Sequence, residues 1–155
     1  MAVFTGTHIN RLDKKGRVSV PASFRAQLAG QSFQGIVCYR SFTAPALEGM
    51  DFARLEQFAE AADGLAAFSE EQERLNSLIF ADCRQLAWDA EGRIMLPEDL
   101  VSFATLGETV AFVGKGRTFQ LWEPAAHEAT MAEMRRLAAE SRPTLNLRSL
   151  PGGGS

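Results

Sequence analysis

Two short stretches of the chain place an arginine four residues after an aspartate, with a glycine just before the arginine. The shared residues are Asp13, Gly16 and Arg17 in the first stretch and Asp89, Gly92 and Arg93 in the second. A carboxylate facing a guanidinium group across a tight turn can hold that group in one orientation through charge-assisted hydrogen bonds. The pattern predicts an oriented arginine that can donate to a pair of hydrogen-bond acceptors on a ligand. The competing interpretation is a cross-strand ion pair that only stabilises the fold.

Basic side chains are concentrated around the first stretch. The chain of 155 residues has a formal charge of −3, but residues 1–40 carry +5 and residues 41–108 carry −10. Residues 11–25 sum to +4, whereas the matching residues 87–101 sum to −3. A structural motif does not need opposite charge in its two copies. The difference therefore predicts a first copy that faces nucleic acid and a second copy that does not.

A β-ribbon is narrow enough to enter the major groove of DNA, where an arginine can donate to both O6 and N7 of guanine. We therefore predict that Arg17 reads a base. Lysine and arginine side chains beside it would neutralise phosphates. The predicted phosphate contacts are Lys14, Lys15 and Arg11.

The other polar residues do not follow a pattern typical of an enzyme or a metal centre. Only two histidines, His8 and His127, are present, and Cys38 and Cys83 lack the C-x-x-C spacing. We interpret the cysteines as buried, reduced thiols. The glycine run at residues 113–118 lacks the spacing of a phosphate-binding loop and predicts a hairpin turn. We expect no catalytic residue, no metal, no cofactor and no small-molecule substrate.

No segment of the sequence has the composition of a targeting signal or a membrane span. The N-terminus lacks a charged region followed by an apolar one, and no apolar run approaches the roughly 18 residues that cross a bilayer. We therefore expect a cytoplasmic protein without a membrane partner.

The two motifs belong to a longer internal repeat. Residues 12–21 recur as residues 88–97, and the apolar run at residues 35–48 recurs at residues 109–122. Each copy predicts two short strands around a glycine turn, a short helix that begins after a proline, and two more strands. The predicted short helices are Ala22–Leu28 and Glu98–Phe103. Two copies this small would share one core.

Longer helices are predicted between and after the two copies. A helix over Asp51–Ala62 would have one apolar face, made of Phe52, Leu55, Phe58, Ala59 and Ala62. A capping-box start at Ser69 and Gln72 opens a second helix, which bears Leu75, Leu78 and Ile79. A third helix begins at Pro124 and has an apolar side made of Met131, Met134, Leu137 and Ala138. These faces predict core or subunit-packing surfaces.

The duplicated motifs resemble those of the MraZ family of bacterial cell-division and cell-wall operon regulators, which contain two SpoVT-AbrB-type repeats. The resemblance covers residues from about 4 to 143. It rests on the two Asp-x-x-x-Arg turns, each followed by a strand that ends in proline. The resemblance implies an α+β fold with flanking helices, in which two repeats pair within one chain as an AbrB-like swapped-hairpin β-barrel.

The resemblance also implies a function. It implies a ring-shaped homo-oligomer that binds G-rich direct repeats of double-stranded DNA in the promoter of the division and cell wall gene cluster. It implies that the protein acts there as a repressor and is associated with the nucleoid. An AbrB-type module that binds a protein partner through its acidic helices, as an antitoxin does, remains the alternative.

The resemblance assigns roles to individual residues. The DNA-contacting arginine is Arg17, with Lys15 beside it, whereas the second copy has Glu91 at the position of Lys15. The residues expected to orient the hairpins are Asp13, Asp89, Arg93, Gly16 and Gly92. The expected segments are repeat 1 (7–50), a helical connector (51–82), repeat 2 (83–126), a C-terminal helix (124–142) and a flexible tail (143–155).

Overall fold

The computed structural model describes residues 2–145, which form eight strands and five α-helices. The strands are β1 (Thr7–Arg11), β2 (Arg17–Ser19), β3 (Gly35–Arg40), β4 (Leu47–Met50), β5 (Arg84–Ala87), β6 (Arg93–Met95), β7 (Thr109–Gly114) and β8 (Phe119–Trp122). The helices are α1 (Ala22–Leu28), α2 (Phe52–Asp63), α3 (Glu70–Leu75), α4 (Glu98–Phe103) and α5 (Pro124–Glu140), and a π-helical segment, Asn76–Ala81, follows α3 directly. This mixture of helices and antiparallel strands confirms the predicted α+β class.

Six strands form one antiparallel sheet in the order β1-β7-β8-β4-β3-β5, and β2 pairs with β6 in a separate two-stranded ribbon. Strand β1 pairs with β7, and β5 pairs with β3, so each half of the chain gives its first strand to the other half. The sheet is open at β1 and β5. The closed barrel expected from the sequence is therefore wrong, because β2 and β6 are three residues long and pair with each other instead of closing the sheet.

The main apolar cluster includes residues of the large sheet, the ribbon and the short helices. The ring centroids of Phe4 and Phe119 lie 4.8 Å apart, and those of Phe24 and Phe119 lie 5.2 Å apart. Val18 and Ile94 face each other across the ribbon and are both buried. Burial of each such side chain contributes about 1.5–3 kcal/mol, so the ribbon is anchored by its inner face.

The first turns of the helices agree with the predictions. Helices α1 and α4 follow Pro21 and Pro97 with the predicted bounds. The Ser69 hydroxyl accepts a hydrogen bond from the Gln72 backbone N–H at 3.1 Å, as a capping residue does. The Gln72 side chain in turn accepts from the backbone N–H of Phe68, one residue earlier than in the usual capping box.

A second apolar cluster lies beneath α2 and the π-helical segment. Its buried residues are Val37, Tyr39, Met50 and Ile79, and Phe52, Leu55 and Phe58 of α2 pack against them. Two predicted members are not buried: Ala59 is exposed, and Leu78 is 44% exposed. The wider i→i+5 turn of the π-helical segment rotates Leu78 away from the face that an α-helix would have presented.

The chain divides into two compact units, Met1–Pro124 and Ala125–Ser155. In the second unit, α5 carries an ion-pair network on its surface, where Arg136 contacts Glu133 and Glu140. Met134 and Leu137 of its predicted apolar side are about half exposed. From residue 146 onward, the predicted flexible tail lies outside the described residues.

Candidate nucleic-acid interface

The first aspartate-arginine motif forms a tight turn that holds the arginine side chain in place. The backbone N–H of Gly16 donates to the carbonyl of Asp13 at 3.0 Å, and Gly16 has a φ of 88°. One carboxylate oxygen of Asp13 accepts from the backbone N–H groups of Lys15 and Arg17 at 2.9 and 2.8 Å. The other oxygen accepts from Nε of Arg17 at 2.7 Å. The carboxylate therefore orients the guanidinium group and leaves Nη1 and Nη2 without a hydrogen bond among the described residues.

The second motif repeats this geometry. Oδ1 of Asp89 accepts from the backbone N–H groups of Glu91 and Arg93 at 2.9 and 3.0 Å. Oδ2 accepts from Nε of Arg93 at 3.1 Å, and Gly92 has a φ of 79°. One difference separates the two turns: Nη2 of Arg93 forms an ion pair with Oε2 of Glu91 at 3.2 Å.

Both aspartates are held in the ionised form. The backbone N–H of Arg17 and, after it, the Arg17 side chain lower the pKa of Asp13 below its ordinary value of 3.8. The backbone N–H groups of Arg93 and Glu91, together with the Arg93 side chain, lower the pKa of Asp89 in the same direction. Each arginine therefore faces a carboxylate at neutral pH.

The ribbon differs from the hairpin that the sequence predicts. Each motif was expected to pair its own two strands, and it does so only at the turn, where the backbone N–H of Asp13 donates to the Arg17 carbonyl at 3.0 Å and that of Asp89 to the Arg93 carbonyl at 2.9 Å. Beyond the turns, β2 pairs with β6, with Arg17 opposite Met95 and Ser19 opposite Arg93. The first turn is tied to the other half of the chain as well, because the backbone N–H of Leu96 donates to the Gly16 carbonyl at 2.8 Å. One shared ribbon therefore carries both arginines on its outer face, while its inner face is buried.

The first turn carries the predicted cations together. Lys14 and Lys15 are exposed at its tip, and Arg11 is exposed at the end of β1. Arg11, Lys14, Lys15 and Arg17 line one shallow groove beside the turn. Glu108 lines this groove and Glu98 lines a neighbouring one, so acidic residues border the basic surface of the turn.

Two contributions to this ribbon were missed by the sequence reasoning. The side-chain amide of Asn10 donates to the Ser19 carbonyl at 2.7 Å and so ties β1 to β2. Arg25 of α1 packs beneath the second turn, and a Cβ added to Gly92 would lie 2.7 Å from its Cζ. Its Nε donates to the Val20 carbonyl at 3.0 Å. The hydrogen bonds of Asn10 and Arg25 join residues nine and five positions apart in the chain. The contact of Arg25 with Gly92 has no signal in the local sequence, because it depends on the pairing of β2 with β6.

Two features lie away from the turns. An apolar groove at the second cluster is lined by Tyr39, Phe42, Phe58, Leu65, Leu75 and Ile79, among other residues. Residues 51–82 around it hold eight acidic and two basic side chains. Both cysteines are free thiols, and burial raises the pKa of Cys38 to about 12 and that of Cys83 to about 11.

Comparison with known proteins decides the family. A sequence model described as "MraZ protein, putative antitoxin-like" matches residues 3–76 and residues 79–147. The chain is 39% identical over 143 residues to the "Transcriptional regulator MraZ" of Pelagibacter ubique, covering 92% of each protein. It is 44% identical over 138 residues to the protein of that name from Gluconacetobacter diazotrophicus, covering 87% of each. The chain belongs to the MraZ family.

The MraZ matches include both turns, since the first contains Asp13 and Arg17 and the second contains Asp89 and Arg93. A third MraZ relative, from Gluconobacter oxydans, aligns with the whole chain at 41% identity and is covered over 96% of its own length. Within residues 2–145 of this MraZ-family chain, no helix is both long enough and apolar enough to cross a membrane.

Proposed function

We propose that the chain is a transcriptional regulator that binds double-stranded DNA in a sequence-specific way through its first turn. The observation that carries this proposal is the pair of hydrogen-bonding groups of Arg17 that Asp13 orients but does not occupy. The regulator names of its MraZ relatives support the proposal. It assigns no catalytic residue and no cofactor to the chain.

In this proposal Arg17 reads a guanine. Its two Nη groups donate to O6 and N7 in the major groove, which is a contact that distinguishes guanine from the other bases. The Asp13 carboxylate holds the guanidinium plane before DNA arrives, so less side-chain entropy is lost on binding. Lys14, Lys15 and Arg11 neutralise phosphates on either side and set the register of the turn on the duplex.

The proposed target is a promoter, and the proposed assembly is a ring of several chains. The two SpoVT-AbrB-type repeats, at residues 7–50 and 83–126, form an AbrB-like swapped-hairpin unit. Several chains form a ring that engages successive G-rich direct repeats in the promoter of the division and cell wall gene cluster. The bound protein represses that cluster from the nucleoid. Each turn holds only a few cations, so avidity from several chains would supply the affinity that one turn lacks.

Exposed apolar surfaces support self-association. Phe42 is 53% exposed at the rim of the apolar groove, and Leu78 is 44% exposed on the π-helical segment. Light scattering of the protein alone and with promoter DNA tests this part. A mass of several chains is expected in both samples, and a monomer in both would contradict the ring.

Substitution of Arg17 tests the reading role. Arg17→Ala should weaken binding to a duplex of G-rich direct repeats by about 10- to 100-fold, because one bidentate base contact is lost. Arg74→Ala is the matched control, since Arg74 is a largely exposed arginine on α3 away from the ribbon. Both variants should keep the thermal transition of the parent. Undiminished binding by Arg17→Ala in a gel-shift series would remove Arg17 from the interface.

A second candidate function is a protein-binding module. The specific observation in its favour is the apolar groove within the acidic segment 51–82. The groove would take the apolar face of an amphipathic segment of another protein. Salt separates the two functions, because DNA binding weakens steeply as salt rises, whereas an apolar contact does not.

A further inference from the structure

The two turns of the ribbon share a backbone geometry but differ in the two residues that precede the glycine. These are Lys14 and Lys15 in the first turn and Ala90 and Glu91 in the second, so the charge is reversed only at Glu91. In both turns the aspartate accepts the same hydrogen bonds, from the backbone N–H groups and from Nε of the arginine. The second turn therefore has the geometry of a DNA-contacting turn without its charge.

Glu91 engages the part of Arg93 that corresponds to the unoccupied part of Arg17. Its Oε2 lies 3.2 Å from Nη2 of Arg93, and its side chain is 72% exposed. A carboxylate at this exposed position would also lie close to any phosphate that approached the turn. Repulsion between like charges opposes that approach, and the ion pair draws the arginine away from a base.

The surroundings of the second turn are otherwise favourable to a polyanion. Arg25 packs beneath Gly92, whereas the matching position at the first turn is Val101, which lines the groove beside Gly16. The turn therefore already has one cation that its counterpart lacks. Asp89 and Glu91 are the acidic groups of the turn, and Asp89 is engaged with Arg93 as Asp13 is with Arg17.

We propose that Glu91 is a specificity-determining residue that closes the second turn to DNA, so that each chain contacts DNA through the first turn alone. The inference rests on the proposed DNA-binding function. It limits each chain to one contact with the duplex, and it means that a single charge reversal at residue 91 would create a second contact.

The test asks whether the second turn can replace the first. Arg17→Ala removes the proposed base contact of the first turn. The double variant Arg17→Ala/Glu91→Lys also replaces the carboxylate of the second turn with a cation. Binding to a duplex of G-rich direct repeats is measured by fluorescence anisotropy. The double variant should recover at least about tenfold of the affinity lost in Arg17→Ala. Adding Arg93→Ala as a third change should abolish the recovery, because the regained contact runs through Arg93.

Added positive charge alone strengthens DNA binding, so the control must carry the same charge elsewhere. Arg17→Ala/Glu56→Lys serves this purpose, since Glu56 is an exposed residue of α2 away from the ribbon. Arg17→Ala/Glu91→Gln breaks the ion pair without adding a cation and should recover less than the lysine variant. Circular dichroism melts of all variants should match that of the parent.

The outcomes separate the inference from the function on which it rests. If the parent binds and Arg17→Ala does not, but Glu91→Lys restores no more binding than Glu56→Lys, the inference fails and the proposed function stands. If Arg93→Ala in the parent weakens binding as much as Arg17→Ala does, the second turn is already open and the inference is overturned. If the parent does not bind the duplex at all, both fall.

Discussion

At the scale of single residues, the aspartate of each motif joins the backbone of the turn to the side chain of the arginine. Asp13 accepts three hydrogen bonds, two from the backbone of the turn and one from the arginine that it orients. The spacing of the motif predicts the ion pair, because a four-residue separation around a glycine turn brings the two side chains together. The contact between Glu91 and Arg93 is also local. What the sequence does not show is Arg25 beneath Gly92, which requires the fold.

The orienting role of the carboxylate can be separated from its role in the turn. In Asp13→Asn, the amide oxygen can still accept from the backbone N–H groups of residues 15 and 17, but the amide nitrogen cannot accept from Nε of Arg17. DNA affinity should therefore fall by about tenfold, while the variant still folds with a somewhat lower melting temperature. Asp89→Asn is the matched control, and its affinity should equal that of the parent. If Asp13→Asn binds DNA with the affinity of the parent, orientation of Arg17 by Asp13 is not needed for binding.

The lowered pKa of Asp13 gives a prediction for stability at acidic pH. Because its pKa is lower in the folded chain than the ordinary 3.8, its contribution is fully present above that value. The contribution is lost as the pH falls through the lower, folded value. The difference in melting temperature between the parent and Asp13→Asn should be constant from pH 5 to pH 8 and should shrink below about pH 4. A difference that grows on acidification would contradict this assignment.

At the scale of the elements, local signals and long-range pairing differ in what they reveal. The prolines before α1 and α4 and the cap at Ser69 are local, and they predicted the starts of these helices correctly. The partner of β2 is a long-range matter. A strand of three residues with alternating burial can pair equally well with the strand next to it in the chain or with a strand 76 residues away. Here the partner of β2 is β6. The prediction of a closed barrel was wrong for the same reason, since the local sequence does not show that β2 and β6 pair with each other.

The first turn needs glycine on two grounds. Gly16 has a φ of 88°, and a Cβ at this position would lie 2.7 Å from the carbonyl oxygen of Leu96. Gly16→Ala should therefore lower the free energy of unfolding by about 1–3 kcal/mol in chemical denaturation. Gly30→Ala is the control, because an added Cβ there meets nothing within 4 Å. A Gly16→Ala variant as stable as its control would mean that the backbone of the turn adjusts freely.

At the scale of the whole molecule, the distribution of charge is more informative than its total. A net charge of −3 is not typical of a DNA-binding protein, yet residues 1–40 carry +5 and the first turn displays its cations together. The acidic helices of residues 51–82 account for much of the opposing charge. The total therefore adds a proposed DNA-facing surface to a different, acidic surface that surrounds an apolar groove.

The central claim is that the first turn binds DNA, and a salt titration tests it most directly. A fluorescent duplex of G-rich direct repeats is titrated with the parent protein and with Lys15→Ala at several salt concentrations. The logarithm of the parent's association constant should fall linearly with the logarithm of the salt concentration. Lys15→Ala should reduce that slope by about one for each chain bound, since one phosphate contact is lost. Parent binding that does not depend on salt, or an unchanged slope in Lys15→Ala, would contradict the account.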